Sequence, residues 1–418
     1  MTYTTLSRRD FLRGVAAGAL TLGSGNLLPL LAQDDTPIIF DDARYSVKTS
    51  TITYAQGLTH SDWNSSDAEP MDLLADVYEP EDAPGNRPAI VMIHGGGFRG
   101  GTRKQDVYLE AGPFFASRGW VAISISYRLL RDHGTVPAML PQAIARLAPE
   151  GTADQALAIY PAARDAKAAV RWVYANAATL GINTGYITSF GGSAGAVLAT
   201  MLGVTDPVDY TDEIGVDVDP TLATTNLDQP SKVHTIIDFW GSGAAVEMVE
   251  VFKQVDRFDS TDAPIMIVHG TNDRTVLYSE AEALRDRYEA IGVPYMLYTL
   301  EGRGQGAWGV GRNRRRQRPE HAGVRLHRGT AGANGRVLTR RYDPAGHTCT
   351  ISPFDQLYLP SNSRLTACAR SPSSAMGIAR PSRSGVWSSM LVPVAKRTNG
   401  DWMRFFTQSD FSPPPLHM

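Results

Sequence analysis

Between residues 45 and 300 the chain sorts into short apolar runs and longer stretches of helical spacing. Residues 45–54 and 73–78 alternate apolar with polar side chains, the period of strands with one wet face, and predict an antiparallel start to a sheet. Residues 89–93 are apolar throughout, and residues 120–127 nearly so, as in strands covered on both faces. A helix is predicted between them at residues 108–118. Another, at residues 162–178, puts Ala166, Ala169, Val170 and Val173 on one face. Residues 186–190, 233–240, 263–268 and 295–299 predict further strands, with helices at 194–202 and 280–291. This β-α alternation predicts an α/β fold with a mostly parallel central sheet flanked by helices. Two stretches break the alternation: residues 136–161 hold four prolines, and residues 205–232 are rich in Pro and Asp. Both read as irregular insertions able to cover a site.

The ends of the chain differ from this body. Ser7-Arg8-Arg9-Asp10-Phe11-Leu12-Arg13 is a twin-arginine motif, followed by a weakly apolar stretch to Ala32. It resembles a Tat signal, which implies removal of residues 1–32 and export of a folded protein to the periplasm or beyond. Asn26, Pro29 and several glycines interrupt the stretch, against a stable membrane anchor. The two cysteines, Cys349 and Cys368, lie far downstream, so the body holds no disulfide. The formal charge of −3 conceals a division: residues 1–310 carry 23 Lys+Arg against 38 Asp+Glu, and residues 311–418 carry 17 against 5. Beyond residue 310 neither helical nor strand periodicity is evident. One account is a disordered basic tail that binds nucleic acid or an acidic surface. The other, preferred here and leaving no nucleic-acid role, is a shifted reading frame. Residues 315–329 can be encoded by codons whose one-base-shifted reading is DGKGLSMPAFDFIVE, an amphipathic helix. Loss of such a closing helix would bare an apolar sheet face.

Chemistry concentrates at three places. Ser189-Phe190-Gly191-Gly192-Ser193-Ala194-Gly195 is a G-x-S-x-G pattern between a predicted strand and a predicted helix, the setting of a nucleophilic serine. His94-Gly95-Gly96-Gly97-Phe98 follows a predicted central strand. Its unobstructed backbone N–H groups at Gly96 and Gly97, joined by that of Ala194, are candidate oxyanion donors. A phosphate-cradling loop is the competing reading of these glycines, but neither phosphate-loop pattern is present. His94 reads as a structural hydrogen-bonding group rather than a base. His269-Gly270-Thr271-Asn272-Asp273 ends another strand. Asp273 is the candidate acid, with Asp238 its alternative at the end of the preceding strand. Asp165 and Arg171 read as a solvated face or salt bridges. Asp206, Asp209, Asp212, Glu213, Asp217 and Asp219 read as a solvated acidic loop, since they lack the calcium-loop pattern.

In this order, HGGGF at 94–98, GGSAG at 191–195 and HGTND at 269–273 resemble an α/β-hydrolase of the carboxylesterase and lipase type. The nearest branches are hormone-sensitive-lipase-like esterases and bacterial feruloyl- or acetyl-esterase-like proteins, and the resemblance covers residues 45–310. It implies a Ser-Asp-His triad, no cofactor or metal, a small-molecule ester substrate and an acyl-enzyme. The family places its histidine in a segment like E-G-x-G-H-G-x-W. This chain has Glu301-Gly302-Arg303-Gly304-Gln305-Gly306-Ala307-Trp308, with Gln305 where the base belongs. A neutral amide cannot take a proton from serine and return it to a leaving group. The expectation is therefore an impaired hydrolase, or a non-catalytic binding protein on the same fold, with a peptidase as a weaker reading. His347 lies in a similar Gly-His pair but, like His321 and His327, outside the expected loop.

Overall fold

The computed structural model describes residue 37, residues 39–148, residues 150–306 and a strand at residues 324–329. The signal-like segment, Cys349, Cys368, His321 and His347 lie outside these residues.

One nine-stranded sheet organises the chain, in the order β1-β2-β4-β3-β5-β6-β7-β8-β9. It opens with the expected antiparallel pair, β1 (Val47–Thr59) and β2 (Glu69–Pro80), whose register shifts between Thr53 and Ala55. β2 pairs antiparallel with β4 (Val121–Ile125), and β4 pairs parallel with β3 (Arg87–Ile93). From β3 the sheet runs parallel through β5 (Ile182–Gly192), β6 (Thr235–Phe239), β7 (Ile265–Gly270) and β8 (Tyr295–Leu300). The parallel strands are buried on both faces, which is why they read as continuous apolar runs. β9 (Val324–Gly329) closes the edge antiparallel to β8, a strand in a stretch where the side-chain pattern predicted none.

Side chains alternate across the sheet, so each strand contributes to two cores. On one face Val91, Ile93, Ile187, Ile236 and Ile265 pack with the helices α4 (Ile159–Ala175), α6 (Ala194–Val204), α7 (Ala244–Lys253) and α8 (Tyr278–Ile291). On the other, Ile90, Met92, Phe190, Ile237 and Met266 pack with α1 (Asp106–Ala116) and with Phe239 and Trp240. Met266, Val268 and Met296 on this second face are buried and Tyr298 and Leu300 partly so, which corrects the expectation of a bared face.

Several expectations about loops also need correction. The proline-rich insertion holds two helices, α2 (Leu140–Leu147) and α3 (Ala153–Leu157); the first has a proline in its opening turn, where a missing N–H costs nothing. A short α5 (Ala177–Leu180) follows α4, and α7 was not anticipated at all. The insertion at 205–232 keeps only the short 3₁₀ turn Pro220–Thr224; Asp206, Asp212 and Asp217 are exposed, as a solvated acidic loop requires, but Asp209 and Asp219 are not. Asp209 is fully buried, and its carboxylate meets Lys253 at 2.8 Å and Arg257 at 2.7 Å. Asp219 is buried and accepts the Thr221 N–H. Buried Lys167 on α4 donates to the Asp206 and Asp209 carbonyls. For Asp165 the salt-bridge alternative holds, with Arg128 at 2.6 Å inside the core, whereas Arg171 is buried against Thr211 at 2.7 Å.

Candidate active site

β5 ends at Gly192 and α6 begins at Ala194, so Ser193 alone turns the chain between them. Its φ of 55° with ψ of −123° lies where non-glycine residues are rarely found. The surroundings enforce it. A Cβ on Gly191 would stand 2.0 Å from the Gly195 carbonyl oxygen, and one on Gly195 would stand 2.0 Å from that of Ile93. Strand, helix and neighbouring strand thus meet at distances that only glycine permits. The Ser193 N–H donates to the Phe239 carbonyl at 2.9 Å, which ties the turn to the end of β6.

The glycine segment after β3 is organised by its carbonyls. Gly95 O faces His94 Nδ1 at 2.9 Å and accepts from Gln105 Nε2 at 3.4 Å. Gly96 O accepts the N–H groups of Arg99 and Gly100, and Gly97 O accepts Gln155 Nε2 at 2.6 Å. A trans peptide points its N–H opposite to its C=O. Three carbonyls held by the protein therefore turn the N–H groups of Gly96, Gly97 and Phe98 the other way. Gly96 at φ 129° and Gly97 at φ 59° take conformations that favour glycine. Ala194 opens α6, where first-turn N–H groups have no intrahelical acceptor. His94 has the structural role expected of it: buried, stacked on Tyr127 at 4.2 Å between ring centres, and pushed down to about 4 by burial.

Asp273 lies just past β7, where its Oδ1 accepts the N–H groups of Thr275 at 2.8 Å and Val276 at 3.0 Å. Its Oδ2 is buried with no hydrogen-bond partner among the described residues. The nearest base, His269 Nε2, is 3.6 Å away and instead pairs with the Val276 carbonyl at 2.9 Å. A carbonyl only accepts, so His269 carries its proton on Nε2, and burial pushes its pKa down to about 4. Burial pushes the Asp273 carboxyl up. The alternative acid, Asp238, is committed elsewhere: it accepts from Thr200 of α6 at 2.9 Å and from the Gly241 N–H at 2.8 Å.

Gln305 follows β8 and places its Nε2 3.0 Å from Ser193 Oγ. Ser193, Gly96, Gly97, Thr275 and Gln305 line one cavity of about 260 Å³. Its apolar walls are Val107, Tyr108, Phe190, Phe239 and Trp240, and none of its described lining residues is charged. Gln105, Gln155 and the aromatic walls were not singled out from the sequence, because nothing in a glutamine beside an aspartate or a phenylalanine in a buried strand marks the side that it faces. His327 sits on β9 opposite Leu297, short of the strand end where Gln305 leaves the sheet.

Residues 75–146 and 153–257 match the BD-FAE family model, a span that includes the Gly95–Gly97 segment and Ser193 and stops before Asp273 and Gln305. The chain is 25% identical to esterase LipC of Mycobacterium tuberculosis over 57% of each chain. It is 24% identical to esterase LipQ of the same organism over 61% of this chain and 56% of that one. It therefore spans a little over half the length of these curated relatives. A thermophilic esterase of the planctomycete Thermogutta terrifontis superposes with a TM-score of 0.43 at 23% identity, covering 61% of this chain and 85% of that one. With a mostly parallel sheet, a serine in an elbow after β5 and this match, the chain has the α/β-hydrolase fold, and its central part is similar to the esterase-like BD-FAE family.

Proposed function

We propose that this chain is an exported hydrolase of small carboxylic esters that acts through an acyl-enzyme on Ser193, and that Gln305 impairs it. The observation that carries this reading is the 3.0 Å contact between Gln305 Nε2 and Ser193 Oγ. It puts the amide where a general base would stand. The unpaired Oδ2 of Asp273 supports it, since a buried carboxylate oxygen without a partner is uncommon and is what a missing imidazole N–H would leave.

In the proposed chemistry Ser193 Oγ attacks the ester carbonyl, and the N–H groups of Gly96, Gly97 and Ala194 hold the tetrahedral oxyanion. The hydroxyl proton must leave Oγ, and the departing alkoxide must receive one. The amide of Gln305 can hydrogen-bond to Oγ in either orientation, but it has no site that takes up a proton near neutral pH. Both acylation and water attack on the acyl-enzyme suffer, and loss of a triad member costs on the order of 10⁴- to 10⁶-fold in rate. The substrate is a small neutral ester, and no cofactor takes part. Export rests on the twin-arginine motif.

The test compares p-nitrophenyl acetate hydrolysis by the chain and by Gln305→His. A rise of at least 10³-fold in kcat, abolished by Ser193→Ala, is expected. No rise, in a variant that unfolds cooperatively, overturns the reading. A second reading is favoured by the same amide contact: a non-catalytic protein that holds ligands in the cavity. It predicts binding that Gln305→His weakens, without turnover in either form.

A further inference from the structure

We infer that Gln155, contributed by the proline-rich insertion, is a positioning residue for the oxyanion-binding N–H groups. The inference rests on the hydrolase reading above and adds to it a part outside Ser193, Asp273 and position 305.

Gln155 sits in α3, which is only five residues long. The residue is 2% exposed although it is a primary amide, so its polar atoms must find partners inside the protein. They do: Nε2 donates to Gly97 O at 2.6 Å, and Oε1 accepts Arg99 Nε at 3.1 Å. One side chain thus clasps the glycine segment at two points, two residues apart. Among the described residues no other hydrogen bond holds the Gly97 carbonyl, whereas Gly95 O and Gly96 O are each held by two contacts.

The conformation held is one that the backbone would not keep unaided. Gly97 has φ 59° and Phe98 has φ 59°, the second an unfavourable value for an aromatic residue. Releasing Gly97 O frees the peptide plane that carries the Phe98 N–H and that adjoins, at the Gly97 Cα, the plane carrying the Gly97 N–H. A Cβ on Gly97 would approach Gln155 Nε2 to 3.1 Å, so the clasp leaves no slack on that side. Gln155 also lines the cavity that holds Ser193. The developing oxyanion gains most from donors already in place, so the effect falls on the transition state rather than on ester binding.

The experiment uses the full chain with Gln305→His as parent, and compares Gln155→Met, of similar volume without a donor, with Gln155→Glu, which keeps the Arg99 contact and loses the Gly97 one. Both are expected to lower kcat for p-nitrophenyl acetate about 10- to 100-fold with KM within about twofold. Phenylboronic acid, whose tetrahedral adduct on serine places an oxygen at the oxyanion position, should lose affinity by a similar factor. Unchanged kcat and unchanged boronate affinity overturn the inference. So does a loss expressed only in KM, which would make Gln155 a wall of the substrate pocket. Parallel loss of kcat and cooperative unfolding also counts against it, as a merely structural role. If the Gln305→His parent lacks Ser193-dependent turnover, the hydrolase reading has failed, and boronate affinity alone then decides whether Gln155 orders the glycine segment.

Discussion

Ser193 and Gln305 meet at 3.0 Å, and the proposed chemistry turns on what the second of them is. A carboxamide fills the space of an imidazole without its basicity, so Gln305→His is expected to change rate by orders of magnitude and stability little. Asp238 shows the opposite case of a titratable group whose effect is on stability. It is fully buried, and burial raises its pKa from 3.8 to about 6. A carboxyl whose folded pKa is raised stabilises the fold fully below about pH 4, and that contribution is lost as pH rises through about 6. The shift of about two units corresponds to about 3 kcal/mol. Asp238→Asn removes the titration while keeping an acceptor for the Gly241 N–H, and the Thr200 hydroxyl can turn to accept. The variant should be more stable than the parent at pH 8, by up to about 3 kcal/mol, and show no such slope between pH 4 and 6. Urea melts at pH 4, 6 and 8 would check this; an unchanged slope contradicts it.

At the scale of elements, the insertion at 205–232 stays on the body through charge rather than apolar packing alone. Lys253 on α7 bridges Asp209 at 2.8 Å and Glu213 at 2.7 Å, while Arg257 reaches Asp206 and Asp209. Removing the shared partner takes away the only fully buried carboxylate of the cluster and leaves Lys253 with Glu213 alone and Arg257 with Asp206 alone. Asp209→Ala is therefore expected to cost about 2–4 kcal/mol and to make residues 205–219 the first site of limited proteolysis. A variant with the parent's melting temperature and cleavage pattern would show that packing holds the insertion without the ion network. The other insertion works differently, through α3 and the single side chain of Gln155.

For the whole molecule, the order of strands decides where damage is tolerated. β8 pairs with β7 on one side and with β9 on the other, from Tyr295 opposite Gly329 to Leu300 opposite Val324. A chain ending after Gly329 keeps this edge paired, whereas one ending after Gly306 leaves β8 as an unpaired apolar edge, a template for aggregation. The first truncation should retain the parent's melting temperature and remain monodisperse; the second should melt lower and aggregate in light scattering. Equal behaviour of the two would mean that β9 adds nothing to the sheet. The shifted-frame account of the chain beyond residue 310 is checked independently by the coding DNA across codons 300–330. Another peptide in the shifted frame would end it.

The mostly parallel sheet was legible in the sequence because strands buried on both faces must be largely apolar, and Ala89–Ile93 of β3, Ile265–Val268 of β7 and Tyr295–Tyr298 of β8 are so built. The elbow was legible because only glycine at 191 and 195 lets β5, α6 and β3 approach so closely. These are local steric and solvation requirements, and a chain writes them residue by residue. Helix α7 was missed because its pattern, Ala244-Ala245-Val246-Glu247-Met248-Val249, follows a glycine-rich turn with no capping side chain. Asp209 was misread as solvated, and Asp165 was left between a solvated face and a salt bridge, since a charge by itself does not announce the distant cation that buries it. The place of Gln305 beside Ser193 was read from the family-like segment at 301–308, but the clasp of Gln155 on Gly97 and the oxygen of Asp273 that has no partner among the described residues lie beyond the sequence for the same reason, since both depend on what the fold brings near. Composition and periodicity determine which segments can be buried together; only the packed sheet decides which polar atoms then face one another.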